Sequence, residues 1–200
     1  MSKKIACIGD SITYGTGIIR KNSYSYPSIL ESLLDDCIIE NYGAPGFAVQ
    51  KQAKKSYWEH PNLKKAIQSK PNIIIFMLGS NDCKVINWQS KDRFINDYKL
   101  MINELKKKTE AEIIIGIPPI FITYKNYDKT FYHLSKINMD IIRDEIRNFV
   151  KENNYCFFDL EPVLDISDFI VDFVHPNKKG ARKIAEYILP VLKSKIDEIK

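Results

Sequence analysis

Short, almost wholly apolar runs, each closed by Gly, Pro or Asn, alternate along this chain with stretches where apolar residues recur every three or four positions. A brief apolar run suits a strand buried on both faces, and the 3–4 spacing suits a helix with one inward stripe. Strands separated by helices pair through crossovers, so the sheet they build is parallel. The predicted strands cover residues 5–9, 37–42, 72–78, 112–117 and 155–160. Pro27 is placed to open the first helix, with Ile29, Leu30, Leu33 and Leu34 on its inner face. Phe94, Tyr98, Met101, Ile102 and Leu105 stripe a later helix, and Leu134, Ile137, Ile141, Ile142, Ile146 and Phe149 stripe the longest. The last begins at Asn177, a suitable N-cap, and buries Ala181, Ile184, Ala185 and Ile188. Pro190 is expected to kink or interrupt it, leaving residues 191–200 as a separate turn.

The expected fold class is α/β: a three-layer α/β/α, flavodoxin-like sandwich around a five-stranded parallel sheet. The 200 residues show no repeat, linker or low-complexity tract, and one domain over 1–200 is the economical reading. Right-handed crossovers then bring every strand-to-helix loop to the carboxyl end of the sheet, where open α/β folds bind ligands. The formal charge of +5 is spread over lysines interleaved with acids, with no basic stripe or stacking motif, so nucleic acid is not an expected partner. No apolar run reaches membrane-spanning length, and Met1-Ser2-Lys3-Lys4 leads straight into a strand; no membrane association and a cytoplasmic location are expected. The four cysteines have no metal-ligand spacing and read as free thiols, with Cys83 alone placed to line a pocket.

Chemistry-bearing residues gather where strands hand over to loops. Ser11, in Gly9-Asp10-Ser11, directly follows the first strand. A serine hydroxyl is a poor nucleophile without a base, and a loop at this position serves equally well to hold phosphate or a flavin. His175 separates the two readings. It lies three residues after Asp172, and Pro176 biases it towards an extended turn. Such a turn folds the Asp172 carboxylate onto Nδ1 and leaves Nε2 for Ser11, the arrangement general-base catalysis requires. Gly46, in a Gly/Pro turn after the second strand, offers an unobstructed N–H, and Asn81, after the third, offers a side-chain amide. With the N–H of Ser11 they would complete an oxyanion hole.

These strings together resemble the SGNH (GDSL-type) serine hydrolase family, whose blocks carry Ser, Gly, Asn and His. The matches are Gly9-Asp10-Ser11-Ile12-Thr13-Tyr14-Gly15, Asn41-x-Gly43-x-x-Gly46, Gly79-Ser80-Asn81-Asp82 and Asp172-x-x-His175-Pro176-Asn177, in the family's order. The resemblance implies Ser11 as nucleophile, Asp172 and His175 as the base pair, and Ser11, Gly46 and Asn81 as oxyanion donors. It also implies no metal and no organic cofactor. The departures are slight: Ser80 stands where many relatives have Thr, and Cys83 where a small polar residue is common.

Asp10, Asn41 and Asp82 are read as supports that hydrogen-bond to loop backbone. His60 and His133 lack a nearby carboxylate and are read as surface or pocket-wall residues. Loops 47–61, 84–88 and 118–127 should overhang the site, with Trp88, Tyr124, Phe173 and Val174 as candidate substrate-binding residues. Aromatic rings mixed with Asn, Lys and Thr suit a sugar, although the same rings also serve simply to pack loops. Asn81-Asp82-x-Lys84 followed by Asn87-Trp88 is similar to bacterial sialate O-acetylesterases and acetylxylan esterases. The favoured substrate is therefore a small-molecule ester, an acetylated sugar foremost. An acyl-thioesterase or lysophospholipase would use the same constellation, and the oligomeric state is not legible.

Overall fold

The structure, a computed structural model, describes residues 2–123 and 127–199. Five parallel strands, β1 (Lys3–Gly9), β2 (Cys37–Gly43), β3 (Ile73–Met77), β4 (Glu112–Ile117) and β5 (Cys156–Asp159), lie in the order β2-β1-β3-β4-β5. Strand β1 lies one position in from the edge, the chain moves outward to β2, then returns to the other side of β1 with β3. That reversal opens a crevice between the carboxyl ends of β1 and β3.

The central strands are buried on both faces, and their side chains divide by the two-residue period of the pleat. Ala6, Ile8, Ile74, Phe76, Ile113 and Ile115 pack on one face with helices α4 (Pro61–Gln68), α5 (Lys91–Lys108) and α6 (Lys136–Glu152). Ile5, Cys7, Ile73, Ile75, Met77 and Ile114 pack on the other with α3 (Tyr26–Ser32) and α7 (Lys178–Glu198). Two further helices, α1 (Ser11–Tyr14) and α2 (Lys21–Tyr24), are single turns between β1 and α3.

Three expectations are corrected. Helix α7 runs unbroken through Pro190 to Glu198. Pro190 and Glu186, whose carbonyl the missing N–H would have met, lie on the exposed face, where water satisfies that carbonyl. Ile188 and Leu192 stay buried on either side, so packing offsets a proline cost of about 3 kcal/mol. The helix expected to be the longest, α6, has 17 residues against 21 in α7; it begins at Lys136, capped by the Ser135 side chain, so Leu134 precedes it and Ile137 points outward in its first turn. Its buried stripe is Met139, Ile142, Ile146, Phe149 and Val150. Asn177 caps α7 as expected, its side chain accepting from Lys179 and Gly180 N–H. Cys83 is fully buried in the core rather than beside a pocket.

Candidate active site

Strand β1 passes into α1 with no slack. A side-chain atom on Gly9 would lie 2.0 Å from Thr13 Oγ1, so only glycine permits this turn. Asp10 caps α1 by accepting from Ile12 N–H at 2.9 Å, and Ser11 is the first helical residue. Asn41, near the end of β2, donates to Thr13 O at 2.8 Å and accepts from Gly43 N–H at 2.9 Å. It ties the adjacent strand to the serine turn.

The opposing segment comes from the loop before α7. Asp172 Oδ1 accepts from the backbone N–H of both Val174 and His175 at 2.9 Å, and this clamp holds the intervening Phe173 at φ 57°. His175 O in turn accepts from Ile170 N–H at 2.9 Å. The second carboxylate oxygen, Oδ2, lies 2.6 Å from His175 Nδ1, while His175 Nε2 lies 2.9 Å from Ser11 Oγ. Residues 164 positions apart in sequence thus form one hydrogen-bonded line of hydroxyl, imidazole and carboxylate. Burial raises the Asp172 carboxyl, but the bonds from the His175 ring and from the two N–H groups outweigh it and hold the group below the ordinary carboxylate range. It is therefore ionised at neutral pH and can hold the ring with Nδ1 protonated and Nε2 free to accept.

A cavity of about 260 Å³ opens beside this line. Ser11, Gly46, Asn81, Lys84, Tyr132 and His175 line it, with Ile12, Leu134 and Val174 as apolar walls. Gly46 adopts φ 85°, a left-handed conformation that costs an L side chain about 1 kcal/mol. Neither its N–H nor that of Ser11 has an acceptor among the described residues. The Asn81 amide donates to Phe47 O at 3.1 Å, and its own backbone carbonyl accepts from Asn87 Nδ2 at 2.8 Å. That leaves the second amide hydrogen for the cavity. Asp82 is fully buried and joins the two donor-bearing loops, accepting from Val49 N–H at 3.0 Å and Gln50 N–H at 2.8 Å. Burial pushes its carboxyl up to about 7, against those two bonds.

The remaining candidates are placed as follows. Val174 lines the cavity. Phe173 is 40% exposed beside it. Trp88 is half-buried against the core and is not a lining residue. Tyr124 lies outside the described residues. His60 caps α4 through its ring, and His133 is exposed at φ 60°. Sequence reasoning missed Tyr132, whose hydroxyl donates to Asp172 Oδ2 at 3.3 Å and whose ring packs edge-on against His175. No motif or spacing marks it, because the contact spans 40 residues. Among the described residues no cluster of three or more His, Cys, Asp or Glu side chains is placed to hold a metal ion. Nor is any helix there long and apolar enough to cross a membrane.

Residues 7–183 match the GDSL-like lipase/acylhydrolase family. The chain belongs to that family. Its serine, glycine, asparagine and histidine blocks fall at the four loops just described. An acetylxylan esterase from Xylanibacter ruminicola is 31% identical over 208 residues, which cover 95% of this chain and 43% of that protein. The chain thus spans less than half of that relative's length. Among solved structures, a carbohydrate acetylesterase family member from Sinorhizobium meliloti superposes with TM-score 0.77 at 21% identity, covering 98% of this chain and 99% of that one. The M. smegmatis aryl esterase superposes with TM-score 0.79 at 14% identity, covering 96% and 99%. At these identities the structural likeness establishes the shared α/β fold.

Proposed function

We propose that this esterase removes small acyl groups, acetyl foremost, from carbohydrate hydroxyls through Ser11. The observation that carries the proposal is the unbroken line from Ser11 Oγ through His175 Nε2 and Nδ1 to Asp172 Oδ2, at 2.9 and 2.6 Å, on the wall of a small cavity. In the first step His175 Nε2 takes the Ser11 proton as Oγ attacks the ester carbonyl. The imidazolium so formed is stabilised by ionised Asp172, and it passes the proton to the departing alkoxide. Negative charge on the carbonyl oxygen is met by the N–H groups of Ser11 and Gly46 and by the Asn81 amide. In the second step His175 activates water against the acyl-serine, and collapse returns the proton to Ser11.

The preference for a short acyl group rests on size. About 260 Å³ falls just below the roughly 300–1,000 Å³ range of small-molecule pockets. The carbohydrate half rests on the named relatives, an acetylxylan esterase and a carbohydrate acetylesterase. The test is a series of p-nitrophenyl esters from acetate to decanoate, with acetate release from acetylated xylose and sialic acid, each against Ser11→Ala. Acetate is expected to be the best acyl group, and Ser11→Ala to be inert. Best turnover on the long chains would overturn the acyl assignment, and undiminished activity in Ser11→Ala would overturn the mechanism.

A further inference from the structure

Two lysines stand at the candidate active site, and neither ammonium group has a hydrogen bond or ion pair to a described residue. Lys84 is half-buried in the wall of the cavity that holds Ser11 and His175. It sits two residues beyond Asp82, held by a bridge to Leu134 and by the Lys84 N–H bond to Asn81 O at 3.3 Å. Lys55 reaches over from the loop after β2. Its Nζ lies 3.8 Å from where a side chain on Gly46 would begin, and 5.7 Å from the centre of the Phe47 ring.

Lys55 is exposed to solvent, but leaving the half-buried Lys84 ammonium unpaired in the cavity wall is unfavourable without a counter-charge. Burial pushes the Lys84 ammonium down, the Asp10 and Cys83 side chains draw it back, and the charge of Lys55 adds to the lowering. Asp10 does not discharge it by contact, since its one paired oxygen is taken by Ile12 N–H and the other meets no donor. An anion seated between the two lysines relieves both the burial and the mutual repulsion. Because Lys55 adjoins Gly46, that anion would lie within a few ångströms of the ester carbon. It belongs to the substrate.

We propose that Lys84, assisted by Lys55, selects esters carrying a carboxylate close to the scissile bond, whether on the alcohol half, as in an acylated uronic or sialic acid, or on the acyl half, as in a dicarboxylic half-ester. The proposal deepens the esterase reading above and rests on it. Specificity is then set by one charge-assisted contact, whose loss costs roughly ten-fold or more in selectivity.

Matched pairs of esters test this. For the alcohol half the pair is 4-acetoxybenzoate and 4-acetoxybenzamide; for the acyl half it is 4-nitrophenyl hydrogen glutarate and 4-nitrophenyl pentanoate. The readout is the ratio of kcat/KM for the charged ester to that for the neutral one. In at least one pair the ratio is expected to fall roughly ten-fold in Lys84→Met and further in Lys55→Met/Lys84→Met, while Lys84→Arg retains it. The pair that responds identifies the half bearing the carboxylate. Ratios unchanged in both pairs in the double variant overturn the proposal. Binding of both pairs to Ser11→Ala by calorimetry separates this from failure of the esterase reading, because it needs no turnover. There Lys84→Met should weaken the charged ester roughly ten-fold more than the neutral one in the pair that responds in kinetics, and equal effects within both pairs overturn the proposal.

Discussion

Replacing Asp172 with Asn changes almost no volume yet inverts one hydrogen bond. The carboxylate has four contacts: Val174 and His175 N–H on Oδ1, His175 Nδ1 and the Tyr132 hydroxyl on Oδ2. An asparagine carbonyl in the Oδ1 position keeps the first two, so the turn that carries His175 should stay folded. Its NH₂ then faces His175 Nδ1 at a distance that was 2.6 Å, and two donors cannot share it. The ring escapes by moving its proton to Nε2, where it can no longer accept from Ser11 Oγ. Loss of the imidazolium's counter-charge adds to the wrong tautomer, and kcat should fall by roughly 10³–10⁴-fold, about 4–5 kcal/mol of transition-state stabilisation. KM for p-nitrophenyl acetate should change little, because Asp172 does not line the cavity. The assay is steady-state kinetics on that ester, with circular dichroism and a thermal melt to show that the variant is folded. A folded Asp172→Asn protein keeping more than about a tenth of wild-type kcat would refute the assignment of Asp172 as the group that sets the tautomer.

Three further outcomes follow from the same geometry. Ser11→Ala and His175→Ala should each reduce turnover of p-nitrophenyl acetate to a residual level, and the double variant should be no worse than either alone, since the two act as one unit. Asn81→Ala should lower kcat by roughly 10²-fold with little change in KM; an equal rise in KM would mean that Asn81 binds the ground state instead. Asp82 supplies a pH signature. Its folded carboxyl titrates near 7, above its ordinary value of 3.8, so folding takes up a proton between those limits. Its contribution to stability is complete below the ordinary value and is lost as pH rises through about 7. Asp82→Asn should melt lower at every pH, because one of the Val49 and Gln50 N–H groups loses its acceptor, but its melting temperature should fall less than wild type between pH 5 and pH 8. Parallel melting profiles would place the titration elsewhere.

The sheet was legible because its strands are buried on both faces, which writes them as unbroken apolar runs at 5–9, 72–78 and 112–117. The short link from Asp172 to His175 was equally legible, since a spacing of three residues before a proline admits few geometries. Elements governed by partners distant in sequence were not. Helix α4 buries Leu63 and Ala66, too sparse a stripe to show a period. Pro190 misled because a proline's effect depends on whether its orphaned carbonyl meets water, and that is a property of the folded surface. Tyr132 and Lys84 acquire meaning only from the cavity they share with Ser11 and His175, and a cavity has no linear signature.

What the fold adds to the motifs is rigidity at the point where strand order reverses. Ser11 and Asn81 follow neighbouring strands β1 and β3, and Gly46 follows β2 on the other side of β1. Each loop is tethered to another by a side chain that does no proposed chemistry. Asn41 binds the Gly46 strand to the serine turn, Asp82 binds the asparagine turn to Val49 and Gln50, and Asp10 fixes the serine turn to itself. Two of those tethers are wholly buried carboxylates that burial drives towards protonation, Asp82 and Asp10 alike. Burying these carboxylates without a cation in contact is costly in folding free energy. The carboxylates instead accept from backbone N–H groups that no apolar side chain can satisfy, and they fix donor positions to within a hydrogen bond's length. An oxyanion hole stabilises charge only if its donors are in place before the charge develops. The cost of burying Asp10 and Asp82 is therefore the physical counterpart of a preorganised site, and Asp82→Asn, which frees one of the tethered N–H groups, should lose in kcat as well as in melting temperature.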